Sequence, residues 1–283
     1  MKFRELAENY LLERANYKHS TLRSYRSILD AHLLPAFGET EAEDVSESQI
    51  RMFQMDLAKT VAGSRVNTIC QLLRSILSEA YRRSVIELDP TKAVRKVRQT
   101  RTKIEPFSDE EIEKIFAALD KFYIPFFKTL LHTGMRPNEA YALTWDDINL
   151  EAGTINIDKG MVEGVEGTTK TESSERVVPM ANTLLEYFKT LTPRPGFLFV
   201  SKSGGPMTGD IDRVWKRACI KAGVEYRKPY VLRHGYATKA LTKGIPIAYV
   251  SKLLGHANPG VTLRFYARWV DCQEQEQKIR ELM

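Results

Sequence analysis

Cysteine is scarce in this chain of 283 residues: Cys70, Cys219 and Cys272 stand far apart and form no C-x-x-C. Three cannot all pair within one chain, so reduced thiols in a cytosolic protein are the expectation. Long apolar runs are missing too, and none approaches the ~20 residues that span a bilayer. The opening MKFRELAENYLLERA is charged and amphipathic, with no apolar h-region, so it does not read as a signal peptide. Internal repeats and low-complexity tracts are absent. So are a G-x-x-x-x-G-K-[ST] phosphate loop, H-E-x-x-H and G-x-S-x-G. The five histidines, His19, His32, His132, His234 and His256, lack zinc-ligand spacing. Nucleotide-driven, zinc-hydrolase and serine-hydrolase chemistries therefore have no footing, and neither a metal nor another cofactor is expected.

What is present is a basic surplus, with a net charge of +6, placed unevenly. Residues 1–104 carry 18 basic and 13 acidic side chains, whereas residues 105–283 carry 24 and 23. The surplus sits in the first third, a weak pointer to a polyanion. Residues 1–90 read as helical throughout. Phe3, Leu6, Ala7, Tyr10 and Leu11 share one helical face. Ser20 is placed to cap a helix carrying Leu22, Tyr25, Ile28 and Leu29, ending near Pro35 and Gly38. Ser46 and Gln49 form a capping box before Ile50, Phe53 and Leu57. A helix from about Ser64 to Ser84 has Ile69, Leu72, Leu73, Ile76 and Leu77 as its stripe. Four amphipathic helices make a small bundle.

Residues 91–104 then form a basic linker with Lys92, Arg95, Lys96, Arg98, Arg101 and Lys103 and no acid. A solvated linker is one reading. A strap across a DNA backbone is the other, because six uncompensated charges repel one another unless phosphates lie beside them.

Residues 105–283 read as a second domain, with a capping box at Ser108 and Glu111 and a helix over roughly 123–132 that breaks at Gly134. Residues 154–158 and 175–179 read as strands, and Phe197–Val200 as a third. Helices follow at about 208–222, 230–243, 246–254 and 271–282. The fold class is mainly α with a small antiparallel sheet, α+β.

Four phrases in this domain carry polar residues between turn signals. In TGMRPNEA (133–140), Gly134 ends a helix and Pro137 begins one, so Arg136 sits at a helix amino terminus with Glu139 one turn on. In TKTESSERVVP (169–179), Lys170 falls just before a strand, where a mobile lysine is able to protonate a leaving oxygen. In YVLRHGYAT (230–238), Arg233 lies between Leu232 and Tyr236. In LLGHANPGVTLRFYARW (253–269), His256 follows Gly255, and Tyr266 follows a turn at Asn258, Pro259 and Gly260. Taken singly, each has a plain alternative: a surface ion pair, an exposed lysine, a satisfied structural histidine, a core tyrosine.

Together and in this order the phrases resemble those of the tyrosine recombinases, the family of phage integrases and Xer-type resolvases. The resemblance covers the whole chain and implies a helical core-binding domain, a strap and a catalytic domain. It implies that Arg136 and Arg233 clamp the scissile phosphate and that Glu139 supports Arg136. Lys170 would be the general acid, His256 a phosphate or proton-transfer partner and Tyr266 the nucleophile. Tyr230 stands where the family usually has His or Lys; a phenol donates a hydrogen bond but is neutral at pH 7. The expected partners are double-stranded DNA with specific sites, three further copies in a homo-tetramer, and accessory DNA-bending proteins. No membrane partner is expected, and the expected setting is the cytoplasm of a bacterial or phage-infected cell. Residues 271–283 would form a tail helix, packed on a neighbouring subunit or merely solvated. The chain opens directly on the core-binding domain, either as a simpler recombinase or as one without an arm-binding domain.

The residue types suit phosphodiester exchange. Negative charge builds on the non-bridging oxygens, and two pre-placed guanidinium forks answer it. A tyrosine nucleophile gives a covalent phosphotyrosine that keeps the bond energy, so rejoining needs no ATP. Two other readings share these residues: a relative that binds DNA without cutting it, and a type IB topoisomerase that acts alone.

Neutralising Arg95, Lys96 and Arg98 together is expected to weaken binding to every duplex. The log–log salt slope should flatten by up to about 0.9 for each phosphate no longer neutralised. Salt titration of binding checks this, and an unaltered slope returns the segment to a solvated linker.

Overall fold

The computed structural model describes residues 1–98, 105–162, 164–168, 175–207 and 211–266. It divides into two compact units, Met1–Thr102 and Lys103–Met283.

The first unit is helical among its described residues. Helix α1 (Phe3–Leu12) buries Phe3, Leu6, Ala7, Tyr10 and Leu11, the face expected from the spacing. Helix α2 (His19–Ile28) starts earlier than expected, with Lys18 at the N-cap and no side-chain cap. Ser20 lies inside its first turn, because the N–H groups of Thr21 and Leu22 already bond the Lys18 carbonyl. A π-turn (Leu29–Leu33) leads into α3 (Leu34–Phe37), and Gly38 closes it. Helix α4 (Glu47–Thr60) begins with the Ser46–Gln49 capping box. Helix α5 (Gly63–Arg82) is the centre of the unit and buries Val66, Ile69, Leu72, Leu73, Ile76, Leu77 and Ala80. Each large aliphatic side chain removed from water there contributes about 1.5–3 kcal/mol before entropy is counted.

The described part of the basic segment is docked rather than loose. Arg74 of α5 donates to the carbonyls of Thr91 and Val94 at 3.3 and 2.6 Å. Asn67 exchanges two hydrogen bonds with the Val97 backbone, both 2.9 Å. Gln54 of α4 donates to the Arg95 carbonyl at 3.0 Å. With the backbone held inward, the side chains of Lys92, Arg95, Lys96 and Arg98 are exposed. Arg101 and Lys103 lie outside the described residues.

The second unit is helical with two small antiparallel sheets. Helix α6 (Asp109–Ala118) has the Ser108–Glu111 capping box and three acids in its first turn, which suit the positive end of the helix dipole. Helix α7 (Ile124–Thr133) ends at Gly134 in the left-handed region, and α8 (Pro137–Ala142) follows at once. Strands β1 (Ile148–Asn149) and β2 (Thr154–Ile157) lie in one sheet with β5 (Arg176–Pro179), in the order β1-β2-β5. Ile155 faces Val178 and Ile157 faces Arg176. Between them the chain makes a second hairpin, β3 (Lys159–Val162) with β4 (Val165–Thr168). Its glycines conceal this pairing from a periodicity reading.

Helices α9 (Asn182–Lys189), α10 (Ile211–Lys221), α11 (Val231–Thr242), α12 (Ile247–Leu254) and α13 (Pro259–Tyr266) complete the described part. The core centres on Trp215 with Phe126, Phe127 and Phe188, and the rings of Phe127 and Trp215 lie 4.7 Å apart.

Three expectations need correction. Phe197–Val200 is not a strand; it makes only isolated bridges, Thr144 with Phe197 and Val200 with Pro206, and no continuous ladder. Helix α9 is an addition to the expected elements, although Leu184 and Phe188 are buried one turn apart. The turn expected at Asn258–Gly260 opens directly into α13, since a proline in the first turn gives up no helical hydrogen bond. The expected helix at 271–282 lies outside the described residues.

Asn67→Ala is expected to release the Val97 backbone at a local cost of about 1–3 kcal/mol. Amide hydrogen exchange at Val97 should quicken while α5 keeps its protection; unchanged exchange at Val97 removes Asn67 from the docking.

Candidate active site

The site is built around the carboxyl end of α12. A helix end leaves carbonyls without intrahelical partners. Here three consecutive ones each receive an arginine. Arg176 Nε donates to the Leu253 carbonyl at 2.7 Å. Arg233 Nη2 donates to the Leu254 carbonyl at 2.6 Å. Arg136 Nη2 donates to the Gly255 carbonyl at 3.1 Å. The helix can end sharply there because Gly255 takes φ 63°.

Glu139 ties two of these arginines together. Its carboxylate accepts from Arg136 Nη1 at 2.7 Å and from the Arg136 backbone N–H at 2.8 Å. It also accepts a forked pair from Arg176, Nη1 at 3.1 Å and Nη2 at 2.7 Å. Burial alone would raise this carboxyl, but Arg176 and then Arg136 hold it below the ordinary glutamate range. Arg136 keeps 29% of its side chain exposed, so it is the guanidinium with most access to an incoming anion.

Arg233 is the opposite case, with 1% exposure. Burial, with Arg136 nearby, lowers it to about 10, which leaves it cationic at neutral pH. Its Nη1 donates to the Gly134 carbonyl at 2.8 Å, so the sharp turn between α7 and α8 also positions it. That turn requires glycine: φ is 64°, and a Cβ would stand 2.5 Å from the Tyr236 ring.

His256 follows the helix end, and its Nδ1 is hydrogen-bonded to Thr262 Oγ1 at 2.7 Å. Burial and the charges of Arg233, Arg136 and Arg176 lower it to about 4, so it is neutral at physiological pH. Tyr266, the last described residue of α13, is 3% exposed among Ala237, Ala240, Leu241, Val250 and Leu254. Its hydroxyl is hydrogen-bonded to His234 Nδ1. Burial pushes the phenol up, with Arg233 acting weakly against it. Tyr230 is 41% exposed and meets His234 edge-on, with ring centroids 5.3 Å apart.

Of the residues expected from the sequence, Arg136, Glu139, Arg233, His256, Tyr230 and Tyr266 gather in this one place, and Lys170 lies outside the described residues. Two members escape the sequence reading. Arg176 occupies an inward strand position, paired with Ile157 and two residues before the buried Val178, which was the available signal: alternation there calls for a hydrophobic side chain. His234 stands beside Arg233 and one helical turn from Tyr230, on a face shared with it. The arrangement concentrates fixed positive charge beside a buried phenol and two neutral imidazoles. Fixed guanidinium forks of this kind suit an oxyanion.

Comparison with known proteins gives the family and the fold. Residues 105–271 match the phage integrase family, and residues 2–58 match the phage integrase N-terminal SAM-like domain. A tyrosine recombinase XerC-like protein of Caldanaerobacter subterraneus is 31% identical over 205 residues, covering 61% of this chain and 52% of that protein. The chain spans little more than half the length of such curated relatives. The Tn1549 transposon integrase in complex with a circular intermediate DNA has the same fold, with a TM-score of 0.86, 19% identity and full coverage of both chains. A lambda integrase tetramer bound to a Holliday junction matches at a TM-score of 0.77 and 18% identity, over 92% of this chain and 78% of that one.

Glu139→Gln is expected to cost about 3–5 kcal/mol, because it leaves the buried Arg176 guanidinium without its counter-charge. A carboxyl held low in the folded state stabilises above its unfolded pKa of about 4.3, and that contribution fades as pH falls through the native value. Urea unfolding of the wild type should therefore lose stability on acidification below about pH 4.3, and the variant should lose less over the same range. Equal acid sensitivity of the two proteins refutes this account of Glu139.

Proposed function

This chain belongs to the phage integrase family, and we propose that it is a site-specific DNA recombinase that cuts and rejoins duplex DNA through a 3′-phosphotyrosine. The observation that carries the reading is the convergence of Arg136, Arg233, His256 and Tyr266 on the end of one helix.

In this reading Arg136 and Arg233 hold the non-bridging oxygens of the scissile phosphate. The bonds of Arg233 to two carbonyls use two of its five N–H groups. Both forks are held before substrate arrives, so little reorganisation opposes charge build-up. Glu139 keeps Arg136 in its rotamer. Tyr266 attacks phosphorus, and the 5′ oxygen leaves with a proton from Lys170. A 5′ hydroxyl from a partner strand then reverses the step and joins the new strand. His256, being neutral, is able to donate from its ring to a phosphate oxygen without adding a charge. Tyr230 is exposed enough to reach the same phosphate.

Strand exchange of this kind needs two duplexes and four active sites, so a homo-tetramer on DNA, assisted by accessory DNA-bending proteins, is the working assembly. Integration or excision of a phage or other mobile element, in a bacterial cytoplasm, is the setting. Among the described residues no helix is long and apolar enough to cross a membrane. The outward basic row of Lys92, Arg95, Lys96 and Arg98 supports a phosphate-tracking role for that segment, a role proposed also for Arg101 and Lys103 on their charge.

The test is covalent trapping. Nicked duplexes from a fragmented genomic library are incubated with the protein, and the DNA carried through denaturing purification is sequenced. The wild type should retain one sequence family and yield a nucleotide adduct on Tyr266. Tyr266→Phe should bind that DNA and form no adduct. Arg233→Lys should slow cleavage by a hundredfold or more, since one mis-set oxyanion donor is worth about 3 kcal/mol. An adduct on another residue, or none with the wild type, ends the proposal.

A further inference from the structure

We infer that His234 is a catalytic residue of this chain, the base whose Nδ1 takes the phenolic proton as Tyr266 attacks. The inference rests on Tyr266 being the nucleophile and adds the destination of its proton.

Contact comes first. Among the described residues, His234 Nδ1 is the hydrogen-bond partner of the Tyr266 hydroxyl. Burial is the second point. Tyr266 is 3% exposed and His234 9%, so bulk water is poorly placed to receive the proton. The other nearby groups are unsuited to accept it. Arg233 and Arg136 are cations without a lone pair to offer. His256 engages Thr262 through Nδ1 and, with its N–H given to the phosphate from the other ring nitrogen, has no lone pair left for the phenol.

The state of the imidazole fits the task. Burial, then the charge of Arg233, lowers His234 to about 4, so at neutral pH the ring is uncharged. A neutral ring with its proton on Nε2 presents a lone pair at Nδ1. The titratable and charged groups around it are Tyr230 and Arg233 on its own helix, Tyr266 on α13, and His256 beyond α12. Tyr230, at the N-cap of α11, meets the His234 ring edge-on with centroids 5.3 Å apart, and its phenol offers no basic nitrogen.

At rest the proton stays on oxygen, because burial raises the phenol and lowers the imidazole. Transfer occurs as the phenolic oxygen bonds to phosphorus, which turns it into an ester oxygen and makes its proton acidic. The bond from oxygen to phosphorus forms, the bond from phosphorus to the 5′ oxygen breaks, and Nδ1 gains the phenolic proton. The 5′ oxygen takes its own proton from the acid of the site. The imidazolium lies beside the anionic phosphate, and it returns the proton to the phenol during rejoining.

The experiment is single-turnover cleavage of the trapped duplex sequence, nicked, over about pH 6 to 9, with a base worth roughly a hundred- to ten-thousandfold. The wild type should be flat with pH. His234→Asn keeps an acceptor near the Nδ1 position but cannot take a proton. It should fold, bind DNA, cleave slower by that factor near neutrality, and gain about tenfold per pH unit, because the phenol must now ionise beforehand. A more acidic fluorinated tyrosine at position 266 should restore much of its rate. His234→Gln carries the same test should the asparagine variant not fold. Wild-type rates without an imidazole at 234 overturn the inference. So does a slow but pH-flat rate that the acidic tyrosine does not lift, since His234 then only holds the ring. A wild type that forms no adduct overturns the nucleophile assignment instead.

Discussion

Three arginines on the carboxyl end of α12 are the interaction on which the site depends. Like charges gathered in a buried place repel one another, and the fold offsets this in two ways. The helix end offers the negative pole of its dipole and three carbonyls, and Glu139 adds a full counter-charge between Arg136 and Arg176. The guanidinium groups are thereby held apart and aimed before any anion arrives. Removing the carboxylate would leave buried charge unopposed, which is why a residue that touches no substrate has so large an expected effect.

The same helix end arranges the remaining groups. Gly255 turns the chain so that His256 leaves next to the arginines, and α13 then carries Tyr266 back onto α11 and α12. Positive charge and burial act together on the histidines and keep both neutral. The two residue types differ in kind: a guanidinium keeps its charge across the physiological pH range, whereas a neutral imidazole carries both a lone pair and a proton. In the first unit a related division appears in the docked basic segment. Backbone bonds to Gln54, Asn67 and Arg74 fix its course, and its cationic side chains point to solvent. The cost of ordering that segment is met by the fold rather than by a nucleic acid.

Much of the architecture was legible in the chain itself. The apolar stripe of α1 and that of α5 are buried as their spacing required, and the capping boxes at Ser46 and Ser108 formed. Gly134 and Gly255 marked their helix ends because each needs a positive φ. What failed was the reading of short or composite signals. Ser20 has the chemistry of a cap, yet the Lys18 carbonyl had already started the helix. The glycine-rich stretch after β2 concealed a hairpin, and Phe197–Val200 found no ladder. Such elements are decided by which neighbours arrive, and periodicity carries no record of neighbours.

By itself, the sequence determined most of the described helices, the buried faces of α1 and α5, the glycine turns that end α7 and α12, and the order of the phrases bearing Arg136, Arg233, His256 and Tyr266. Those are local properties, set by backbone preference and by side-chain spacing within a few residues. Only the tertiary structure decided that Arg233 meets the Gly134 carbonyl, 99 residues away, and that Arg136 meets Gly255, 119 residues away. It alone turned Arg176 toward Glu139 and His234 toward Tyr266. The reason is that a polar side chain in a core is satisfied by whichever partner packing brings within reach, and that partner has no fixed spacing along the chain.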